Sequence, residues 1–219
     1  NNGVLSGATL SSNCVTGKCY SFDGVNQYIQ VPDSNNLDIN GDTTYSLWFK
    51  TTQTTTAFML EKGGNTDPGC ELEMRSGNFG AFCRNTTGNG YFMNFGNTVS
   101  ANDGNWHFGA LTLNRNGNAT LYFDGVAKTT TNISGNANQD LSNALNFNIG
   151  SEKGTSVFFN GNIDNVRIYN KALTSAEIAD HYNKVKLYYQ PSFKFDGKDN
   201  YINITNTITL TNFSVEAWI

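Results

Sequence analysis

Along most of the chain, apolar and polar residues alternate with a period of two. YIQV (28–31), YSLWFKT (45–51), AFMLEK (57–62), CELEMR (70–75), FGAFCR (79–84), HFGALTL (107–113), ATLYFDG (119–125), NFNIG (146–150) and NVRIY (165–169) all read this way. That is the pattern of strands with one face on a core. Turn-forming pairs separate them: Asn-Gly at 40–41, Gly-Gly at 63–64, Asp-Gly at 103–104 and 124–125. LTLNRNGNATLYFDG reads as a hairpin closed by an Asn-Gly loop. Many short strands at even turn spacing predict an all-β fold, a two-sheet antiparallel sandwich or jelly roll.

One segment breaks the pattern. LTSAEIADHYNKV (173–185) offers Thr174 as N-cap with Glu177 three residues on, the spacing of a capping box. Leu173 can staple against Ile178, and Ile178, Tyr182 and Val185 share one helical face. A single short helix is therefore predicted after the last strand.

The chain also repeats itself. CYSFDGVNQYIQV (19–31) returns as FKFDGKDNYINI (193–204), with Trp48 answered by Trp218. The offset is a domain length rather than a solenoid period. The predicted organisation is one domain over 1–186, a linker over 187–192, and the truncated start of a second copy over 193–219. With no initiator Met and no signal-like segment, the chain reads as a mature or excised part of a longer one.

Composition narrows the function classes. Charged residues are 15% and the formal charge is −4 over 219 residues. No stripe of Lys and Arg suits a phosphate backbone, so a nucleic-acid partner is not expected. No apolar run is long enough to span a bilayer. The four cysteines form two local pairs, Cys14 with Cys19 in CVTGKC and Cys70 with Cys83 across a hairpin. Even count and local pairing favour two disulfides and an oxidising compartment. Four buried free thiols is the alternative. A metal knuckle is disfavoured, because no Cys-x-x-Cys or adjacent His is present.

YSFDGVNQYIQVPDS, YSLWFKT, GNWHFGALTL, ATLYFDGV and GNIDNVRIYNKALTSAEI, in that order, resemble the laminin-G-like, concanavalin A-like lectin-glucanase jelly-roll family. The resemblance covers nearly all of 1–186. It implies an extracellular or cell-surface module with two antiparallel sheets and, often, a structural calcium ion. In the resembling family the Asp of the final IDxVRIY strand and the start of the jelly roll often share that ion, which here implies Asp23 and Asp164 as ligands. The bland alternative is that both cap turns through Asx hydrogen bonds.

Candidate chemistry is thin elsewhere. Glu71 and Glu73 share a strand face, as in laminarinase-type enzymes of this fold, but residue 76 is Ser, so one carboxylate of that set is missing. No catalytic residue is expected, and the two Glu read as solvent-facing. His107 and His181 lie far apart without a nucleophile motif and read as structural. Trp48 and Trp106 sit inside alternating strands and read as core. Tyr91 and Phe92, in the Gly- and Asn-rich stretch GNGYFMNFGN read as a loop, are the candidate ligand-binding aromatics. Asn-x-Ser/Thr sequons at Asn85, Asn118, Asn132, Asn203 and Asn212 fit an exported protein. The reading that follows is a non-catalytic extracellular recognition module for a glycan or a surface protein, acting in adhesion, with further tandem domains in the parent chain. The rivals are a structural spacer and an accessory domain of a secreted glycosidase or protease.

Overall fold

The computed structural model describes residues 2–64, 67–85, 91–96 and 98–189. The predicted second copy, 193–219, lies outside the described residues. In chain order the strands are β1 (Val4–Ser6), β2 (Thr9–Ser11), β3 (Cys19–Asp23), β4 (Tyr28–Val31), β5 (Thr43–Lys50), β6 (Ala57–Gly64), β7 (Asp67–Arg75) and β8 (Asn78–Arg84). They continue as β9 (Tyr91–Asn94), β10 (Val99–Ser100), β11 (Trp106–Leu113), β12 (Asn118–Phe123), β13 (Val126–Asn132), β14 (Phe147–Ile149) and β15 (Asn160–Tyr169), and the helix α1 (Ser175–Tyr189) follows.

Two antiparallel sheets result. The first runs β1-β4-β14-β6-β7-β8-β10, with β9 also on β8; the second runs β13-β12-β11-β5-β15-β3-β2. Alternation sends Leu47, Phe49, Leu72, Met74, Phe79, Leu111 and Leu113 between the sheets, all essentially inaccessible to solvent. The all-β sandwich with one C-terminal helix is thus the observed fold.

Strand β5 is buried on both faces, for a reason its own alternation does not reveal. Tyr45, Leu47 and Phe49 face the sandwich core. Trp48 faces the other way, into a second cluster with Trp106, Phe108, Tyr122 and Ile178. Helix α1 lies on that outer face, with Tyr182 stacked on Trp48 at 5.4 Å between ring centroids. The capping box forms as predicted: Thr174 N–H donates to Glu177 Oε2 (2.8 Å) and Glu177 N–H donates to Thr174 Oγ1 (3.3 Å). The helix runs through Tyr189, three residues into the predicted linker.

Several strands had no legible pattern. β13, VAKTTTN, has mostly exposed residues and is held by pairing to β12 rather than by apolar alternation. β1 and β2 are edge strands of three residues each. The stretch read as a loop around Tyr91 instead pairs with β8, placing Asn94 opposite Phe82.

Candidate binding face

Both predicted disulfides are present. Cys70 and Cys83 stand directly opposite on β7 and β8, 4.2 Å apart at Cα, and Cys14 and Cys19 close their loop at 5.4 Å. The first lies in the sandwich core.

Because Cys70, Leu72 and Met74 point inward, Glu71 and Glu73 must point out of the first sheet. They are not solvent-facing as expected: Glu71 is 5% exposed and Glu73 is 0% exposed. A third carboxylate joins them from the neighbouring strand, since Glu61 on β6 is the register partner of Glu71 and is itself fully buried. Sequence reasoning missed Glu61 because register, not spacing along one strand, brings it there.

Glu61 and Glu71 belong to one cross-strand row, with Glu73 two residues along β7. Gln30, Asn148, Glu61, Glu71, Phe82 and Asn94 are successive partners across β4, β14, β6, β7, β8 and β9. Gln30 Nε2 donates to Asn148 Oδ1 (3.0 Å), and Asn148 Nδ2 donates to Glu61 Oε2 (3.4 Å). The 151–157 segment covers the row from one side. Lys153 N–H donates to Glu61 Oε2 (2.6 Å), and its ammonium pairs with Asp67 at 2.7 Å. Arg75 pairs with Glu73 at 3.0 Å and lies over the Phe82 ring at 5.0 Å.

Burial opposes charge on all three carboxyls. It pushes Glu61, Glu71 and Glu73 each up to about 7; the Lys153 N–H, Arg84 and Arg75 respectively offset part of this. Glu71 adds to the rise at both of its neighbours, so the three do not ionise independently.

The predicted calcium ligands do not converge. Asp23 lies opposite Asn160, and Asp164 is four residues further along β15, about 13 Å away at strand rise. Asp23 Oδ1 accepts the N–H of Val25 (2.8 Å) and of Asn26 (3.3 Å), an Asx turn. Asp164 Oδ2 accepts the N–H groups of Val15 and Thr16, both at 3.0 Å, and Oδ1 accepts that of Asn165 at 2.7 Å. The pair does not fit a shared ion. Asp164 also meets the Cys14 and Cys19 sulfurs, but those are joined in a disulfide and offer no thiolate. The melting temperature is therefore expected to be the same in excess chelator and in millimolar calcium; a concentration-dependent rise would demand another ligand set.

The candidate aromatics separate. Tyr91 opens β9 opposite Arg84. Phe92 is half-buried against the sandwich core under the Arg115 guanidinium (5.3 Å), so it is not a free loop ring. The histidines are held structurally. His107 bridges Asp124 (2.9 Å) and Asp103 (3.0 Å), and His181 contacts the Tyr169 hydroxyl at 3.3 Å.

Residues 23–179 match the model of the concanavalin A-like lectin/glucanases superfamily, and the chain belongs to that family. No curated protein sequence matches it. Among solved structures it is similar to the binding domain of Paraclostridial Mosquitocidal Protein 1, with 16% identity, a TM-score of 0.69, and coverage of 84% of this chain and 47% of that one. It is also similar to the botulinum neurotoxin serotype D ligand binding domain in complex with N-acetylneuraminic acid: 18% identity, TM-score 0.66, coverage 89% and 50%. The serotype G binding domain matches at 15% identity and TM-score 0.66, covering 84% and 46%. The chain thus spans about half the length of these structures, and at such identities the likeness establishes the fold.

Proposed function

We propose that this chain is a non-catalytic recognition module of a secreted or cell-surface protein, and that its ligand is a glycan carried on a receptor. The observation that carries this reading is the polar row on the outer face of the first sheet. Hydrogen bonds wire Gln30, Asn148 and Glu61 across three strands, and the row surfaces at exposed Asn94 beside Phe82, where an amide suits the hydroxyl groups of a sugar. Arg75 flanks that open end, over the Phe82 ring. Neighbouring folds described as binding domains, one with a bound sialic acid, support the ligand class. Two disulfides support an oxidising, exported setting. Among the described residues no helix is long and apolar enough to cross a membrane.

Catalysis by the carboxylates is not the favoured reading, because Glu61 and Glu73 have no accessible surface with which to reach a substrate. Repetition of the domain start at 193–219 supports a tandem parent chain, in which weak sites would gain avidity.

A glycan array on the chain, followed by calorimetry on the best sugar, tests the proposal. Asn94→Ala and Tyr91→Ala are each expected to weaken binding by roughly tenfold, the loss of one good polar or stacking contact. Absence of binding to every sugar, with and without calcium, would favour the spacer reading.

A further inference from the structure

The two sheets part on the side of β1 and β2, leaving a cleft of about 620 Å³ between them. Its walls are mostly apolar. Val31 on β4 and Ile149 on β14 face Tyr20 on β3 and Val166 and Ile168 on β15, with Leu37 at the entrance. All six are only half-buried, although they pack against the main core. The cleft has a local cause. β15 carries one extra residue: Asp164 lies opposite Trp48 but Arg167 opposite Ser46, and Asn165 between them takes a φ of 47°. That bulge bends β15 where Val166 and Ile168 line the opening.

The entrance is held rather than loose. Buried Lys62 ion-pairs with Asp33 and with Asp38 (3.4 Å), on either side of Leu37, and donates to the carbonyls of Asn143 (3.0 Å) and Leu145 (2.6 Å). Polar side chains, Asn36, Asp164, Asn165 and Asn170 among them, share the lining. Backbone N–H groups already occupy both oxygens of Asp164. Lys18 is the one cationic side chain in the lining; it is exposed and makes no ion pair among the described residues.

We propose that this cleft is a ligand site distinct from the polar row, taking the hydrocarbon chain of a single-chain anionic amphiphile, whose head group pairs with Lys18. The volume lies within the roughly 300–1,000 Å³ of small-molecule pockets, and filling it removes apolar wall from water on both sheets. A sugar would leave its hydroxyls unpaired against these walls. The proposal stands independently of the glycan reading.

Sodium dodecanoate, titrated calorimetrically into the 219-residue chain below its micelle concentration, is the probe. One molecule is expected to bind saturably per chain. Val166→Phe and Leu37→Phe, which fill the cleft from β15 and from the loop, should each weaken binding by roughly tenfold or more while keeping a cooperative melt. Lys18→Glu should weaken it by roughly threefold, the scale of an exposed ion pair. If Val166→Phe fails to fold, the loop variant carries the test alone. Non-saturating heat, or equal binding by both filled variants, overturns the proposal. Binding to phosphatidylcholine vesicles containing phosphatidylglycerol with none to dodecanoate also overturns it, assigning recognition to a membrane surface. So does concentration-dependent self-association that the filled variants abolish, which would make a second copy the occupant.

Discussion

Raising the pH from about 4.5 to 7 is expected to lower the melting temperature of this domain. Glu61, Glu71 and Glu73 ionise in the unfolded chain near the ordinary value of 4.5, but burial holds them protonated in the fold until about 7. Between those limits the native state binds more protons than the unfolded state, so stability falls as pH rises. Each group taken alone would contribute at most about 3 kcal/mol, and their coupling makes the total less than additive. His107 acts in the same direction. Burial opposes its charge, but the bonds to Asp124 and Asp103 hold its pKa above the ordinary 6.5. Its contribution is complete below 6.5 and is lost as pH passes above its raised value. On the acid side, the N–H of Asn105 is the main cause holding Asp103 down at about 2, so its contribution disappears only below about pH 4. The expected profile therefore peaks on the mildly acidic side. A thermal-melt series from pH 4 to 8 measures it, and Glu71→Gln, which removes the group that raises both neighbours, should flatten the fall. A melting temperature that stays level or climbs between 4.5 and 7 would show that the three carboxyls ionise freely and that the face is open to water.

Asp164→Ala is expected to destabilise the domain by about 3 kcal/mol. The carboxylate is 7% exposed and accepts the N–H groups of Val15 and Thr16 from the Cys14–Cys19 loop. Val15 is itself 3% exposed, so its orphaned N–H would have no water to replace the lost acceptor. An unsatisfied buried donor costs about 1–3 kcal/mol, and charge-assisted bonds stand at the upper end. The same residue holds β15 at its bulge, through Asn165 N–H. Denaturant unfolding of the variant measures the loss at the midpoint. Asp164→Asn keeps one acceptor oxygen and should recover part of it. A variant as stable as the parent would mean that the loop is carried by its disulfide alone.

The strands around the core were legible because burial on one face imposes a period of two, and YIQV and HFGALTL match β4 and β11 to within one residue. The helix was legible because capping is local: Thr174 and Glu177 need only be three residues apart. The disulfides followed from hairpin proximity in the same way. Residues 187–189 were read as linker because nothing in their pattern distinguishes a last helical turn from its exit.

What only the tertiary structure decided depends on register and on packing between sheets. Glu71 and Glu73 look solvent-facing in CELEMR because alternation assigns a side of the sheet, not what covers that side. Arg75 lies over that side and pairs with Glu73, and Lys153, from a segment distant in sequence, closes on the neighbouring Glu61. Glu61 reaches the same site because β6 pairs with β7 in one register, and a slip by one residue would send it to the core. Asp23 and Asp164 seemed able to share an ion until strand pairing set them four residues apart and gave each its own backbone donors. The cleft has no signature in sequence, since a bulge in β15 is one extra residue that only its partner strand reveals. Alternation and capping act between near neighbours and can be read along the chain. Register, coverage and void space arise between segments distant in sequence, and they exist only once the two sheets have met.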